Sequence, residues 1–172
     1  MKQSQTANTL YYEAADRFAH AMQRLARATE ANAERRLDLL QDMHFQLWKS
    51  LSAFDGRCSL KTWVYRVIHN VAASHVDRER RRPIDGVDSS ELDQIPSLVD
   101  LSGLIERDDA LTKLHTWIRK LNSTDRQIMT LYLEDLSAAE MSEVTGFKPG
   151  AIATRISRLK SKLAQDFKEA SR

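Results

Sequence analysis

Apolar residues recur every three or four positions along most of the chain, and this spacing is typical of amphipathic helices. Three such stripes occupy residues 10–25, 37–51 and 63–76. Pro83 follows the third stripe and cannot continue a helix, because proline lacks the backbone N–H that a helix interior requires. The pattern therefore predicts a first small helical domain over residues 1–82.

The periodicity lapses between residues 83 and 109, where eight acidic residues stand against a single base, Arg107. Two prolines and two glycines interrupt the same stretch. A charged, proline-punctuated segment of this kind favours a flexible connection over a compact element. We therefore predict an acidic flexible linker at 83–109, and two domains that fold independently and change their relative position.

Helical periodicity returns after the linker and predicts four short helices over residues 110–172. The stretch 137–140, Ser-Ala-Ala-Glu, matches a capping box, in which side chains satisfy the free backbone donors of a helix start. Gly146 can end that helix in a left-handed conformation, and Pro149 suits the first position of the next. The sequence thus predicts an all-α chain of two small domains, the second containing a helix-turn-helix.

Composition agrees with a folded helical protein. Of 172 residues, 42% are hydrophobic and only five are glycine and three proline. The single cysteine, Cys58, excludes an internal disulfide, which favours a reducing cytoplasm. No run of about 18 apolar residues or signal-peptide core is present, so we expect a cytoplasmic protein that is neither exported nor inserted in a membrane.

The last helix carries the strongest chemical signal. Between residues 148 and 162 there are five basic residues and no acidic one, although the whole chain has a formal net charge of only +2. An outward, basic face at the start of the second helix of a helix-turn-helix is suited to the major groove of DNA. A merely solvated charged face is the alternative. The outward residues are Lys148, Ala151, Thr154, Arg155 and Arg158.

The third helix combines bases, amides and aromatic rings. Its end is rich in arginine, which the helix dipole explains in part, since cations are favoured at a helix C-terminus. Aromatic rings interleaved with cations and amides suit unstacked single-stranded bases. Trp63 is expected to lie in the core, whereas Tyr65 and Asn70 are the better candidates for contact.

Catalysis is not indicated. The five histidines show no metal-binding spacing, and no glycine-rich phosphate loop is present. We therefore expect no enzymatic activity, no catalytic residues, no metal and no cofactor.

Three segments resemble a known family. Residues 38–48, DLLQDMHFQLW, are similar to the polymerase-binding helix of the extracytoplasmic-function (ECF) sigma factors of the sigma-70 family. Residues 59–70, SLKTWVYRVIHN, resemble the promoter-melting segment that follows that helix. The stretches 121–129 and 136–160 resemble the family's reader of the upstream promoter element. The order and spacing of the three segments also agree with the family.

This resemblance implies a sigma factor that binds core RNA polymerase and reads the minus-ten and minus-thirty-five elements of promoter DNA. It also implies an anti-sigma factor as a further partner. The implied core-polymerase contacts are Asp38, Gln41, Asp42 and Gln46. The implied minus-ten contacts are Lys61, Tyr65, Arg66, His69, Asn70 and Arg78, and the minus-thirty-five contacts are the five outward residues of the last helix.

Two other functions remain open at the level of sequence. One is a helix-turn-helix transcriptional regulator that binds an operator as a dimer, and the other is a protein-interaction adaptor whose basic faces only solubilise it. Neither a ligand pocket nor a coiled-coil heptad supports the regulator. Co-purification with core RNA polymerase in the absence of DNA would separate the three.

Overall fold

The computed structural model describes residues 2–81 and 102–170. These residues form seven helices and no strand. The predicted linker lies outside the described residues from 83 to 101, and its last residues, 102–109, form the first part of a helix. The helices are α1 (Lys2–Thr29), α2 (Ala33–Leu51), α3 (Leu60–Arg81), α4 (Ser102–Lys120), α5 (Ser123–Leu133), α6 (Ala138–Thr145) and α7 (Pro149–Ala170).

The helix ends follow the local signals in the sequence. The Ser137 side chain accepts from the backbone N–H of Glu140, and the Glu140 carboxylate accepts from the backbone N–H of Ser137, which confirms the predicted capping box. Gly146 ends α6 with φ at +79°, a conformation that glycine adopts without steric cost. Pro149 is the first residue of α7, so the helix-turn-helix is built as predicted.

In this structure the two halves of the chain pack directly against each other. The main core joins buried residues of α1, α2 and α3 with buried residues of the second half. A smaller apolar cluster links α1 with α4, α5 and α7. The second-half members of the main core are Ile128, Leu131, Leu136, Met141, Val144 and Ile152. We call this direct packing of the two halves the closed arrangement.

Candidate polymerase- and nucleic-acid-binding surfaces

The predicted polymerase contacts lie on one side of α2. Asp38, Gln41 and Gln46 are exposed, and Asp42 is half-buried. The Asp42 carboxylate accepts a hydrogen bond from the Arg78 guanidinium at 2.9 Å, and this pair connects α2 to the end of α3. The structure thus brings one predicted polymerase contact together with one predicted minus-ten contact.

The same helix exposes large apolar side chains that were not predicted as contacts. Leu37, Phe45 and Trp48 are 67%, 53% and 48% exposed, and the two aromatic rings lie 6.3 Å apart. We call these three residues the apolar patch of α2. The buried side of α2 consists instead of Leu39, Met43, Leu47 and Leu51.

Of the leucines in the predicted stripe over residues 37–51, Leu47 and Leu51 are buried and Leu40 packs against the core, whereas Leu37 is exposed. The helix α2 carries apolar residues on two of its sides, and both sets satisfy the helical period. The period alone therefore does not say which side is buried. The signal that could have revealed the patch is the surplus of apolar residues over one buried stripe.

An open groove separates α2 from α3. It has a volume of about 440 Å³, and its walls include Gln46, Ser50, Val67, Asn70 and Ser74. Asn70 is exposed, so its amide is available to a ligand in the groove. Asp42 and Arg78 also line it. The groove therefore offers amide, hydroxyl and charged groups beside two valine side chains.

Trp63 packs at one end of α3 as a structural residue. Its indole N–H donates to the Ser50 hydroxyl at 3.1 Å, and its ring meets that of Phe54 edge-on at 5.3 Å. The ring is half-buried against the main core, in agreement with its predicted structural role.

The remaining predicted minus-ten contacts lie on a different side of α3, which faces the second half. The Lys61 ammonium donates to the Glu140 carboxylate at 2.8 Å, and Arg66 donates to the backbone carbonyl of Glu143 at 2.7 Å. The Thr62 hydroxyl, between them, donates to the Glu143 carboxylate at 3.0 Å. In the closed arrangement these groups are therefore paired with the second half of the chain.

Tyr65 and His69 lie deeper in the same interface. The Tyr65 hydroxyl donates to Glu134 at 3.2 Å, and burial, followed by the negative charge of Glu134, raises the pKa of Tyr65. His69 is only 4% exposed, and burial lowers its pKa to about 3. The contact of His69 with DNA stays a prediction, and in the closed arrangement its ring is covered by packing of the helices.

Glu134, in the turn after α5, accepts hydrogen bonds from both α1 and α3. Arg24 of α1 donates to its two carboxylate oxygens at 2.5 and 2.7 Å, while Tyr65 donates to one of them. The Glu134 side chain is 12% exposed. Such a bidentate arginine–carboxylate pair fixes both position and orientation. The pair therefore anchors the second half to the first.

The predicted minus-thirty-five contacts lie at the start of α7. Lys148, Ala151, Thr154 and Arg158 are exposed, and Arg155 is half-buried. The structure thus brings all five predicted residues to one end of the helix.

The two arginines of α7 share a buried partner. Arg155 donates to the carboxylate of Asp125 at 2.8 Å, and Arg158 reaches the same carboxylate at 3.4 Å. The guanidinium of Arg155 also lies 5.9 Å from the centre of the Phe147 ring. Arg158 is the more exposed of the two, at 65% of its side chain against 37% for Arg155.

In the part of the chain that the structure describes, no three His, Cys, Asp or Glu side chains are grouped so that they could hold a metal ion. Within residues 2–81 and 102–170, no helix combines the length and apolar character needed to cross a bilayer.

Comparison with known proteins agrees with this architecture. Residues 14–82 match the family model for Sigma-70 region 2, and residues 111–163 match the model for Sigma-70, region 4. The chain is 27% identical over 135 residues to the RNA polymerase sigma-H factor of Pseudomonas aeruginosa, which covers 74% of this chain and 70% of that protein. It is 24% identical over 143 residues to the ECF RNA polymerase sigma factor SigW of Bacillus subtilis, covering 77% and 75% of the two chains.

The fold is also similar to a solved structure, that of CnrH in complex with the cytosolic domain of CnrY. The TM-score is 0.69 with 19% identity, and the match covers 97% of this chain and 96% of that chain. The two family models together span most of the chain, in the order that the sequence motifs indicate. The chain therefore belongs to the sigma-70 family of RNA polymerase sigma factors, as a member of the extracytoplasmic-function type.

Proposed function

We propose that this sigma factor divides its work among three surfaces: the outer side of α2 for core polymerase, the α2–α3 groove for the minus-ten element, and the start of α7 for the minus-thirty-five element. The observation that carries the proposal is the position of Asn70. Its exposed amide lies in an open groove that also contains residues of the polymerase-facing helix. Binding of polymerase and capture of a melted strand would therefore take place side by side.

The polymerase surface would combine Asp38, Gln41, Asp42 and Gln46 with the apolar patch of α2. Contiguous exposed apolar side chains mark interaction sites, and the rings of Phe45 and Trp48 are adjacent, 6.3 Å apart. Aromatic anchors that become fully buried in a complex usually contribute most of the binding free energy, while the surrounding polar groups set specificity. Phe45 and Trp48 would be the anchors of this surface, since both are about half exposed.

The minus-ten surface would begin with Asn70 and Arg78 in the groove. An amide can recognise the hydrogen-bonding edge of an unstacked base, and an arginine can neutralise a neighbouring phosphate. Lys61, Tyr65 and Arg66 would join this surface only after the second half moves away from α3, since all three contact it in the closed arrangement.

The minus-thirty-five surface would use Lys148, Ala151, Thr154 and Arg158 in the major groove. Arg158 would read a base edge, because an arginine can donate two hydrogen bonds to guanine. Arg155 would act mainly by holding Asp125, which ties α7 to the start of α5.

The two promoter elements cannot be read together in the closed arrangement. Their names place them about 25 base pairs apart, which corresponds to roughly 85 Å of B-form DNA at about 3.4 Å per base pair. A compact chain of 172 residues has a radius of gyration of roughly 16 Å. Lys61 of α3 and Glu140 of the helix-turn-helix are only 2.8 Å apart at their charged ends. Promoter binding would therefore require the two halves to separate.

We also propose an anti-sigma partner protein. The support is that CnrH, which has a similar fold, forms a complex with the cytosolic domain of CnrY. A pull-down from cells grown without an inducing signal should recover such a partner. Full promoter activity in those cells, with no protein recovered, would contradict this part of the proposal.

The central test is reconstitution with core RNA polymerase. The chain should co-purify with core in the absence of DNA and should produce run-off transcripts from a promoter that core alone does not use. DNA binding without core binding would instead indicate an operator-binding regulator, and core binding without transcription would indicate an adaptor.

A further inference from the structure

A cavity of about 180 Å³ lies between α1, α3, α4 and α5. Four residues of α1 line it at positions i, i+3, i+4 and i+7, a spacing that places them on one face of the helix. They are Ala21, Arg24, Leu25 and Ala28. An alanine side chain ends at its Cβ atom, so the two alanines leave space that longer side chains would fill. The small residues on this face of α1 are therefore one cause of the cavity.

A second wall of the cavity comes from α4, which contributes four residues with the same spacing. They are Leu111, Leu114, His115 and Ile118. Ile118 is fully buried, whereas Leu111 is 52% exposed, and Leu133 of α5, which also lines the cavity, is 44% exposed. The cavity is thus closed at Ile118 and reaches solvent beside Leu111 and Leu133.

Most polar groups of the cavity wall already have partners. Arg24 and Glu134 pair with each other, and the Tyr65 hydroxyl donates to Glu134. The Thr130 hydroxyl donates to the backbone carbonyl of Arg126. Because the opposite charges of Arg24 and Glu134 offset each other, the pair presents no net charge to a ligand. An uncharged ligand is therefore favoured.

His69 differs from these groups. It is only 4% exposed and lines the cavity, and its ring lies 6.2 Å from that of Tyr65. Within residues 2–81 and 102–170, however, no group forms a hydrogen bond with the His69 ring. Burial lowers the pKa of the ring to about 3, so at neutral pH the ring keeps one N–H donor and one nitrogen that accepts. Buried polar groups normally have a hydrogen-bond partner, so the unused capacity of His69 requires an explanation.

We propose that the cavity binds a small, uncharged aromatic compound that donates one hydrogen bond to the His69 ring. The leucine, isoleucine and alanine side chains of the walls suit an apolar ring system. The size agrees, because an apolar cavity of roughly 150 Å³ holds benzene, and this cavity is somewhat larger and has an open end. An N–H or O–H group on the compound would supply the partner that His69 lacks.

A water molecule is the alternative partner for His69. A buried water usually makes about three hydrogen bonds to polar groups that have no other partner. The Tyr65 and Thr130 hydroxyls and the charged pair of this wall are instead engaged by protein groups. The mainly apolar wall therefore favours an organic ligand over an isolated water.

The first measurement compares indole with benzofuran on the isolated full chain by isothermal titration calorimetry. The two probes have the same two-ring shape, but indole carries an N–H donor where benzofuran has an oxygen. Indole should bind with a Kd below about 1 mM, a modest affinity for so small a ligand. It should bind about five-fold more tightly than benzofuran, the effect of one additional hydrogen bond. Absence of measurable indole binding, or equal affinities for the two probes, would overturn the proposal.

A His69→Leu variant tests the hydrogen bond directly. Leucine keeps an apolar side chain at this position and removes both ring nitrogens, so indole should lose its advantage and bind as weakly as benzofuran. The affinity for benzofuran should be unchanged, which would show that the cavity is still formed. A preference for indole that persists in this variant would show that another group accepts its N–H, and the role of His69 would be wrong.

Filling the cavity tests where the probes bind. Ala21→Met and Ala28→Met extend two buried wall residues with a flexible side chain that adapts to irregular space. Each should weaken binding of both probes by at least about ten-fold, because the new side chain takes the place of the ligand. Ala164→Met, at an exposed position of α7 that does not line the cavity, should bind both probes like wild type.

Equal affinities in the filled variants and in Ala164→Met would place the probes elsewhere on the protein and overturn the proposal. NMR gives an independent readout on the unsubstituted chain. Indole should shift the methyl resonances of Leu114 and Ile118, which line the cavity, and should leave those of Leu39, in the main core, unchanged. These shifts and the comparison of indole with benzofuran need no substitution, so they decide the proposal even if a filled variant fails to fold.

Discussion

Arg155 of α7 donates a hydrogen bond at 2.8 Å to the carboxylate of Asp125, which stands in the first turn of α5. Only 9% of the Asp125 side chain is exposed, and the backbone N–H of Asp125 donates to the N-cap residue Asn122. Arg158 reaches the same carboxylate at 3.4 Å but remains 65% exposed. The contact therefore ties α7 to the start of α5 through Arg155 and leaves Arg158 largely in solvent.

The first prediction separates these two arginines. Arg155→Ala should lower the free energy of unfolding by about 1–3 kcal/mol, because it removes the closer hydrogen-bond partner of a buried carboxylate. Arg158→Ala should change stability by less than about 0.5 kcal/mol, as is usual for exposed positions, yet should lose about 1–3 kcal/mol of discrimination at the minus-thirty-five element. Urea unfolding and binding to matched and mismatched minus-thirty-five duplexes measure the two effects.

A compensating variant controls this comparison. Asp125→Asn combined with Arg155→Ala removes the buried charge together with its partner, so it should recover part of the stability lost in Arg155→Ala. Equal loss of stability in the two single arginine variants would show that the assignment of roles is wrong.

The second prediction concerns the apolar patch of α2. Phe45→Ala and Trp48→Ala should each weaken binding to core polymerase by at least about ten-fold, since aromatic anchors at the centre of an interface commonly contribute 2 kcal/mol or more. Both side chains are about half exposed, so the variants should remain folded. Leu111→Ala, which truncates an apolar side chain of 52% exposure in the second half, is the matched control. Unchanged core affinity in both aromatic variants would remove the patch from the interface.

The third prediction contrasts two residues on different sides of α3. Asn70→Ala should impair run-off transcription from a duplex promoter and should be partly rescued by a pre-melted minus-ten bubble, because the exposed amide would act on the opened strand. Tyr65→Phe removes only the hydroxyl that donates to Glu134, so it should favour opening and should not impair transcription from either template. The same defect in both variants on both templates would contradict the division of α3 into a groove side that is open in the closed arrangement and a side whose Tyr65 hydroxyl serves the interface.

Much of the architecture could be predicted from local signals. The capping box at Ser137, the left-handed Gly146 and the first-turn Pro149 each depend on only a few neighbouring residues, and the structure confirms all three. Helical periodicity likewise predicted the elements of both halves. These features could be predicted because each acts through backbone sterics and hydrogen bonds within a single helical turn.

The interface between the halves could not be predicted in this way. Periodicity indicates that one side of a helix is buried, but it does not identify what covers that side. The family resemblance implies Tyr65 and His69 as minus-ten contacts, whereas in the structure both are buried and the Tyr65 hydroxyl donates to Glu134 of the second half. Contacts between residues far apart in sequence, such as Arg24 with Glu134, leave no periodic signal in a single sequence.

The last prediction concerns pH and rests on His69. Its ring is buried where α1, α3 and α5 meet, and burial lowers its pKa to about 3 from the usual 6.5. Arg126 of α5 lines the same small cavity and would repel a protonated ring, while Arg24 and Glu134 line the larger cavity beside it.

The sign of the effect follows from the depressed pKa of His69. Between pH 6.5 and pH 3 the His69 ring is protonated in the unfolded chain and neutral in the folded chain. The contribution of His69 to the free energy of unfolding therefore falls as the pH is lowered through this range. When the pH is lowered from 7 to 5, His69 alone should reduce the free energy of unfolding by about 2 kcal/mol, at roughly 1.4 kcal/mol per pKa unit.

A His69→Gln variant tests this prediction, because glutamine does not titrate and can occupy a similar volume. Its unfolding free energy should fall by about 2 kcal/mol less than that of wild type between pH 7 and pH 5, measured by urea denaturation. His115, whose pKa is also lowered by burial, remains in both proteins, so its contribution cancels in the difference. Parallel losses of stability in the two proteins would show that His69 is protonated in the folded state and that the second half does not shield it from water.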